Sequence, residues 1–136
     1  MKVRVSLSYI RVILIAMALG LLAKMTAPEF SQASIESNTT ELIDALVQMR
    51  GSLDLYRAEH DGRLPFAKSS EAFEMVLTRR IGQYGPYIKE IPDNPFNGLD
   101  TVRFDGRPAG ANTAGWRLDT KTGVFQADNT PEYSAL

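Results

Sequence analysis

The feature that most constrains the fold is a regular spacing of apolar side chains in the middle of the chain. Eight positions between residues 35 and 60 recur at alternating intervals of four and three residues. They are Ile35, Thr39, Leu42, Leu46, Met49, Leu53, Tyr56 and His60. This spacing is typical of an α-helix with one apolar side. The same spacing also fits a coiled-coil heptad. Residues 61–136 need a surface to pack on, which favours a helix that forms the spine of a small domain.

The helix is predicted to begin well before this stripe. The only helix breaker between the stripe and the apolar residues that precede it is Pro28, and a proline can kink a helix without ending it. We therefore expect one helix from about Leu7 to His60. Its front half is apolar nearly all round, and its back half is amphipathic.

The first thirty residues differ in charge from the rest of the chain. They hold four basic residues and one acidic residue, whereas residues 31–136 hold eleven basic and fifteen acidic residues. The net charge of −1 gives no indication of a nucleic-acid partner. Because the chain has no cysteine, thiol catalysis, disulfides and thiolate zinc sites are excluded.

The apolar run from Val12 to Ala23 has two interpretations. It is shorter than the roughly 20 residues of a membrane-spanning helix, and it suits the apolar region of a signal peptide, which has about 7–15 residues. Pro28 follows Ala27 directly, which makes a poor signal-peptidase junction. A removed signal peptide and a retained anchor both remain open at this point, and helical continuity favours the anchor.

The body of the chain contains signals for a second, short helix. Asp61-Gly62 ends the long helix, with Gly62 as its left-handed cap. Ser69 or Ser70 can cap the second helix, and its buried side is expected to hold Phe73, Val76 and Leu77. We expect Arg79 and Arg80 in its last turn, as a solvated helix end, and Gly82 to stop it.

A proline-rich segment follows, with the sequence GPYIKEIPDNPFNG at residues 85–98. Three prolines and two glycines exclude a helix or a central strand. The apolar residues of the segment should still be buried, so it is predicted to be an ordered loop against the core. These residues are Tyr87, Ile88, Ile91 and Phe96.

Three short strands are predicted after this loop, at about Thr101–Asp105, Gly115–Asp119 and Val124–Ala127. Residues 120–123 should close a hairpin between the last two strands, with Gly123 at a positive dihedral angle. Alternation predicts that Trp116 and Leu118 face the core while Arg117 and Asp119 face outward. A small antiparallel sheet would then cover the helical stripe and give an α+β fold.

Four segments carry a family resemblance. Gly20-Leu21-Leu22-Ala23 of the apolar run is followed by Ala27-Pro28-Glu29-Phe30, and the end of the long helix with the residues after it reads LDLYRAEHDGRLP at residues 53–65. The loop reads GPYIKEIPDNPFNG, and the hairpin reads GWRLDTKTGVF at residues 115–125. Together they resemble the type IV prepilin-like proteins, most closely the major pseudopilin (protein G) of type II secretion.

The resemblance implies a pilin-like fold in which a basic leader at 1–6 precedes an apolar membrane and assembly helix at 7–29 and a periplasmic domain at 30–136. It implies a non-enzymatic subunit of a secretion pseudopilus, anchored once in the bacterial inner membrane with its N-terminus in the cytoplasm. Its partners would be other pseudopilin subunits through the N-terminal helix, the inner-membrane secretion assembly platform and membrane lipid, but not nucleic acid.

The resemblance also assigns roles to individual residues. It places peptidase processing between Ser6 and Leu7, where the family has glycine and phenylalanine, and it places Arg11 where the family has a glutamate that offsets a neighbouring subunit's amine. The assembly helix would use Arg11, Gly20 and Pro28. The structural loop would use Pro86, Tyr87, Pro92, Asn94, Pro95, Phe96 and Gly98, and the hairpin would use Trp116, Asp119 and Gly123.

Cofactor chemistry is not expected. Some pseudopilins of this kind hold calcium in the C-terminal loop, which makes Asp119 and Asp128 weak candidate ligands, but calcium needs about 6–8 oxygens. His60 is the only histidine and is interpreted as a helix-end residue. Two other functions stay open: a pilin-like exported binding module, anchored or soluble, that does not polymerise, and a minor or initiating pseudopilin.

Overall fold

The computed structural model describes the backbone of residues 7–65 and 67–136, and the side-chain surroundings of residues 9–18, 31–65 and 67–136. Helix α1 spans Leu7–Glu59, as predicted. It ends where Gly62, at a φ of +78°, donates its N–H to the Arg57 carbonyl at 2.7 Å, a left-handed helix cap. The chain divides into two compact units, Met1–Ser37 and Asn38–Leu136.

The core of the second unit is built on one side of α1. Leu42, Leu46, Met49 and Leu53 are all buried there, so the periodic stripe correctly identified the core-facing side. The stripe reaches less far than predicted at its start, because Ile35 is 49% exposed.

Helix α2 spans Ser70–Thr78 and packs Phe73 and Leu77 into the same core. The Ser69 side chain accepts a hydrogen bond from the Ala72 N–H at 3.2 Å, which confirms the predicted N-cap. The predicted end is wrong, since Arg79 already has extended dihedral angles. Arg79 and Arg80 therefore follow the helix instead of forming its last turn, and the helix stops before Gly82.

Three short strands form one sheet in the order β1-β2-β3, where β1 is Val102–Arg103, β2 is Trp116–Leu118 and β3 is Phe125–Ala127. The α+β class is confirmed, but the fully antiparallel sheet is wrong. Strand β2 is antiparallel to β3, whereas β1 is parallel to β2. Parallel neighbours need a connection that returns along the sheet, and residues 104–115 provide it.

The outer face of this sheet differs from the prediction. Arg117 was expected to face solvent, yet it is only 7% exposed. Its guanidinium donates to the Gln126 side chain at 2.8 Å, and Gln126 in turn donates to the Ser134 carbonyl at 2.7 Å. The C-terminal residues, which include a 3-10 helix at Tyr133–Ala135, therefore lie against a face that strand alternation assigned to solvent.

Candidate functional site

The N-terminal part of α1 presents apolar side chains to solvent. Within the described residues 9–18, seven large apolar side chains are between 45% and 69% exposed. They are Tyr9, Ile10, Val12, Ile13, Leu14, Ile15 and Met17. Arg11 lies among them and is also exposed. Exposed apolar patches of this kind are typical of surfaces that bind another protein or a membrane.

The other residues assigned to assembly are placed only in part. The processing residue Ser6 lies outside the described residues, and Leu7, Gly20 and Pro28 lie in α1 with side chains outside the described set. Within the residues that the structure describes, no helical segment has both the length and the low polarity needed to cross a membrane.

Asn94 organises the proline-rich loop. Its side chain is fully buried, and its amide group donates to the Gly115 carbonyl at 2.9 Å and to the Asn129 side chain at 3.1 Å. Its side-chain oxygen accepts the Phe96 N–H, and its carbonyl accepts the Gly98 N–H. Because a buried amide is costly unless it is bonded, these contacts hold the loop to the segment before β2.

Aromatic contacts join this loop to the rest of the unit. Trp116 is fully buried, and its indole N–H donates to the Pro92 carbonyl at 2.8 Å. Phe96 is only partly buried and stacks on Tyr133, with ring centroids 4.3 Å apart. The loop thus packs on the core, and Ile88 and Ile91 are buried as predicted, whereas Tyr87 and Phe96 are only partly buried. Of its other two prolines, Pro95 is half-buried and Pro86, which follows a cis peptide bond, is exposed.

Tyr87 and His60 belong to an aromatic cluster at the end of α1. The Tyr87 hydroxyl donates to the Glu59 carboxylate at 2.7 Å, and desolvation together with this carboxylate raises the pKa of Tyr87 to about 12. His60 stacks on Tyr56 at 3.9 Å between ring centroids, and its Nδ1 lies 2.9 Å from the Tyr56 carbonyl oxygen. These contacts fit the interpretation of His60 as a helix-end residue.

Asp119 acts within the hairpin turn. Its carboxylate accepts the Lys121 and Thr122 N–H groups at 2.9 and 3.2 Å, and these bonds lower its pKa. The Gly123 N–H donates to the Asp119 carbonyl at 2.7 Å, with Gly123 at the predicted positive φ, +79°. Asp119 is therefore an oxygen acceptor for the turn itself.

Asp128 is the most densely bonded side chain in the described part of the chain. Its carboxylate is fully buried and forms a two-pronged ion pair with Arg103, whose Nη2 and Nε lie 2.6 and 2.9 Å from its two oxygens. It also accepts backbone N–H groups of the returning β1–β2 connection, and the donors are Gly110, Ala111, Thr113 and Ala114. Desolvation alone would raise the pKa of Asp128, but these donors hold it at about 2.

The two calcium candidates are thus both engaged by N–H donors. Asp119 binds its own turn and Asp128 binds Arg103 and the β1–β2 connection. No group of three or more His, Cys, Asp or Glu side chains suited to a metal ion occurs among the described residues.

Sequence reasoning missed Arg103, which completes the Asp128 cluster. It noted Asn129 only as an oxygen ligand for calcium, whereas the Asn129 side chain accepts a hydrogen bond from Asn94. Arg103 lies beside the core residue Val102 in β1 and pairs in register with Arg117 of β2. Strand alternation alone would have placed Arg103 on the outer face, but nothing local in the sequence indicates that Asp128 is its partner.

Comparison of the chain with protein-family models, with curated proteins and with solved structures gives no match.

Proposed function

We propose that this chain is a structural, non-enzymatic subunit of a type II secretion pseudopilus or a related type IV pilus-like filament. Four sequence segments that resemble the major pseudopilin support the proposal. The order of elements supports it as well: a long helix, a proline-rich loop that follows a short second helix, and a small sheet.

The observation that carries the proposal is the contrast along α1. Residues Leu42, Leu46, Met49 and Leu53 are buried in the core of the second unit, whereas the apolar side chains at residues 9–17 are exposed. A long helix with an uncovered apolar start needs either lipid or a second helix to cover it. A filament subunit that waits in a membrane before it assembles uses both in turn.

In this proposal the chain crosses the bacterial inner membrane once through residues 7–29, with its basic N-terminus in the cytoplasm and its globular unit in the periplasm. Its partners are other pseudopilin subunits and the assembly platform of the secretion machine. The energy for secretion comes from an ATPase elsewhere.

A second function is favoured by one observation, the exposed Arg11 within the apolar segment. A charge in a membrane segment is costly unless it is paired or reaches the headgroups. In a helical bundle Arg11 would lie near like charge, since the neighbour's terminal amine is also positive. This feature fits a minor or initiating subunit, or an exported binding module that does not polymerise.

Two measurements on the full chain in membranes test these proposals. The intact mass of the extracted protein should correspond to a chain that starts at Leu7, and a start at Pro28 would contradict the filament proposal. Because the chain has no cysteine, an introduced Ile13→Cys reports helix contacts without background. Crosslinking between copies is expected for Ile13→Cys and not for the control Lys68→Cys.

The Arg11→Glu substitution separates the two functions. If Arg11 limits self-assembly, Arg11→Glu should increase the Ile13→Cys crosslink and the yield of sheared fibres. If the wild type already forms long fibres and Arg11→Glu abolishes them, then Arg11 is part of the assembly contact and the second function is refuted.

A further inference from the structure

A basic cleft lies between the end of α1 and the hairpin turn of the second unit. Arg57 of α1, Arg63 just beyond it and Lys121 of the turn line a cavity of about 510 Å³. Leu64 and Gly123 also line it. The cleft thus combines three cations with a partly apolar wall, which suits an acidic protein surface better than a small ion.

The charges of this basic cleft are poorly neutralised within the described chain. Among the described residues, the one ion pair made by these three cations joins Arg57 to Asp54 at 3.9 Å, and the two side chains are 43% and 77% exposed. No described carboxylate lies within 4.0 Å of the charged side-chain groups of Arg63 or Lys121. The Asp119 carboxylate binds the Lys121 backbone N–H at 2.9 Å, and its charge is paired with the Arg117 guanidinium at 3.2 Å. An exposed pair at this distance contributes little, so the cleft keeps a positive potential.

A second cleft of opposite charge lies beside α2 and the proline-rich loop. Glu74, Glu90, Asp93 and Asp100 line a cavity of about 380 Å³ together with Ile91 and Pro92. Across the described residues, the only cation within 4.0 Å of these carboxylates is Lys89, which lies 3.8 Å from Glu90. Both of those side chains are at least 75% exposed, so this acidic cleft also keeps most of its charge.

The sheet topology places the two clefts at opposite corners. Asp100 lies two residues before β1, and β1 is parallel to β2, so Asp100 lies at the end of the sheet where β2 starts. The 120–123 turn joins β2 to the antiparallel β3, so Lys121 lies at the opposite end of the sheet, where β2 ends. The acidic and basic clefts therefore lie towards opposite ends of β2.

We propose that the basic cleft of one copy of this chain receives the acidic cleft of the next copy. This inference rests on the proposed function, because it assigns the contact between globular units in the filament. A contact between two different surfaces is heterologous, and it continues into an open chain unless a rotation closes it. Charge complementarity of this kind sets register and suppresses wrong partners.

The test uses the full chain in detergent micelles with one cysteine at each cleft. Thr122→Cys marks the basic cleft and Lys89→Cys marks the acidic cleft, and both positions are exposed. A mixture of the two should form a crosslink at low salt that weakens as salt rises, since exposed charges are screened. Absence of this crosslink at low salt would overturn the inference.

Charge reversal provides the decisive comparison. Arg63→Glu with Lys121→Glu in the Thr122→Cys chain should reduce the crosslink by about tenfold or more, because like charges would then face each other. Glu90→Lys with Asp93→Lys in the Lys89→Cys chain should do the same. A mixture of the two reversed chains should restore the crosslink.

A matched control reverses one arginine and one lysine outside the cleft, Arg80→Glu with Lys68→Glu, and should leave the crosslink unchanged. Fluorescence of the buried Trp116 checks that each variant is folded. The pairing is overturned if the crosslink is lost in the Arg63→Glu, Lys121→Glu chain and is not restored by the Glu90→Lys, Asp93→Lys chain. That result would assign the basic cleft to lipid phosphates or to an acidic exported protein.

The Ile13→Cys crosslink distinguishes failure of the filament proposal from failure of the cleft contact. If Ile13→Cys crosslinks while the Thr122–Lys89 pair does not, the filament stands and the cleft contact is refuted. If the cleft pair crosslinks while Ile13→Cys does not, the contact stands and the helix-based filament is refuted.

Discussion

Two stretches of the same helix both carry large apolar side chains but have opposite surroundings. Residues 42–53 of α1 carry the core of the second unit, and Leu46 within them is 1% exposed. Residues 9–17 are more apolar, with Arg11 as their one charged residue, yet Leu14 among them is 60% exposed. The difference is in what the chain places beside each stretch: α2, the proline-rich loop and the sheet pack on the first.

The stability of the second unit therefore depends on residues 42–53, whereas the proposed assembly would depend on residues 9–17. Burial of an apolar side chain stabilises by about 1.5–3 kcal/mol. In residues 42–53 that free energy is gained when the chain itself folds. In residues 9–17 it is available only when lipid or another copy covers the helix.

The largest expected effect compares one leucine from each stretch. Leu46→Ala should lower the free energy of unfolding by about 2–5 kcal/mol, because it leaves a cavity in the core. Leu14→Ala should change it by about 0.5 kcal/mol or less, as for other exposed sites. Denaturant unfolding of the full chain in detergent, followed by the fluorescence of Trp116, measures both. Equal losses would mean that residues 9–17 also belong to the folded core.

The next effect concerns the buried ion pair that holds the β1–β2 connection. Asp128→Asn removes the charge opposite Arg103, whose side chain is only 11% exposed. Loss of one partner of a buried pair costs about 3–5 kcal/mol, and partial exposure of Arg103 places the loss near the lower value. Asp100→Asn, at an exposed carboxylate, is the control. An Asp128→Asn chain as stable as the wild type would show that the pair contributes nothing net.

The pH dependence of stability should identify the same carboxylate. The pKa of Asp128 is about 2 in the folded chain against an ordinary 3.8, so the unfolded chain binds the proton more readily. The resulting stabilisation is fully present above pH 4 and is lost as the pH falls towards about 2. It amounts to about 2 kcal/mol, since one pKa unit corresponds to about 1.4 kcal/mol. Unfolding measured from pH 5 to pH 2 should show this loss, and Asp128→Asn should flatten it.

The smallest effect concerns the C-terminal residues. Tyr133 stacks on Phe96, and aromatic pairs contribute about 0.5–1.5 kcal/mol beyond the area they bury. Tyr133→Ala should therefore destabilise the second unit by about 1 kcal/mol, well below Leu46→Ala. A double-mutant cycle with Phe96→Ala isolates the pair, and a coupling energy of zero would show that the tail does not contribute through this contact.

Local patterns were sufficient for much of the second unit. The apolar period identified α1 and its buried side, Ser69 marked the start of α2, and Gly62 and Gly123 marked a helix end and a turn. Each of these features depends on residues a few positions apart, so the sequence contains the full cause. The density of proline likewise determined that residues 85–98 form neither helix nor strand.

The errors arose where residues distant in sequence meet. The sheet was predicted to be antiparallel, whereas β1 and β2 are parallel. This parallel pair depends on the connection at residues 104–115, and Asp128, which follows β3 in the sequence, stabilises that connection. Arg117 was assigned to solvent by strand alternation, which does not take into account that the C-terminal residues cover that face.

The sequence by itself therefore determined the two α-helices, the three strands, the caps at Gly62 and Ser69 and the core-facing side of α1, because these follow from period, propensity and short-range hydrogen bonds. Only the tertiary structure decided the strand direction, the burial of Arg103, Arg117 and Asp128, and the separation of the acidic and basic clefts. Those properties depend on which surfaces meet in space, and a buried charge is tolerated only where the fold brings its partner within reach.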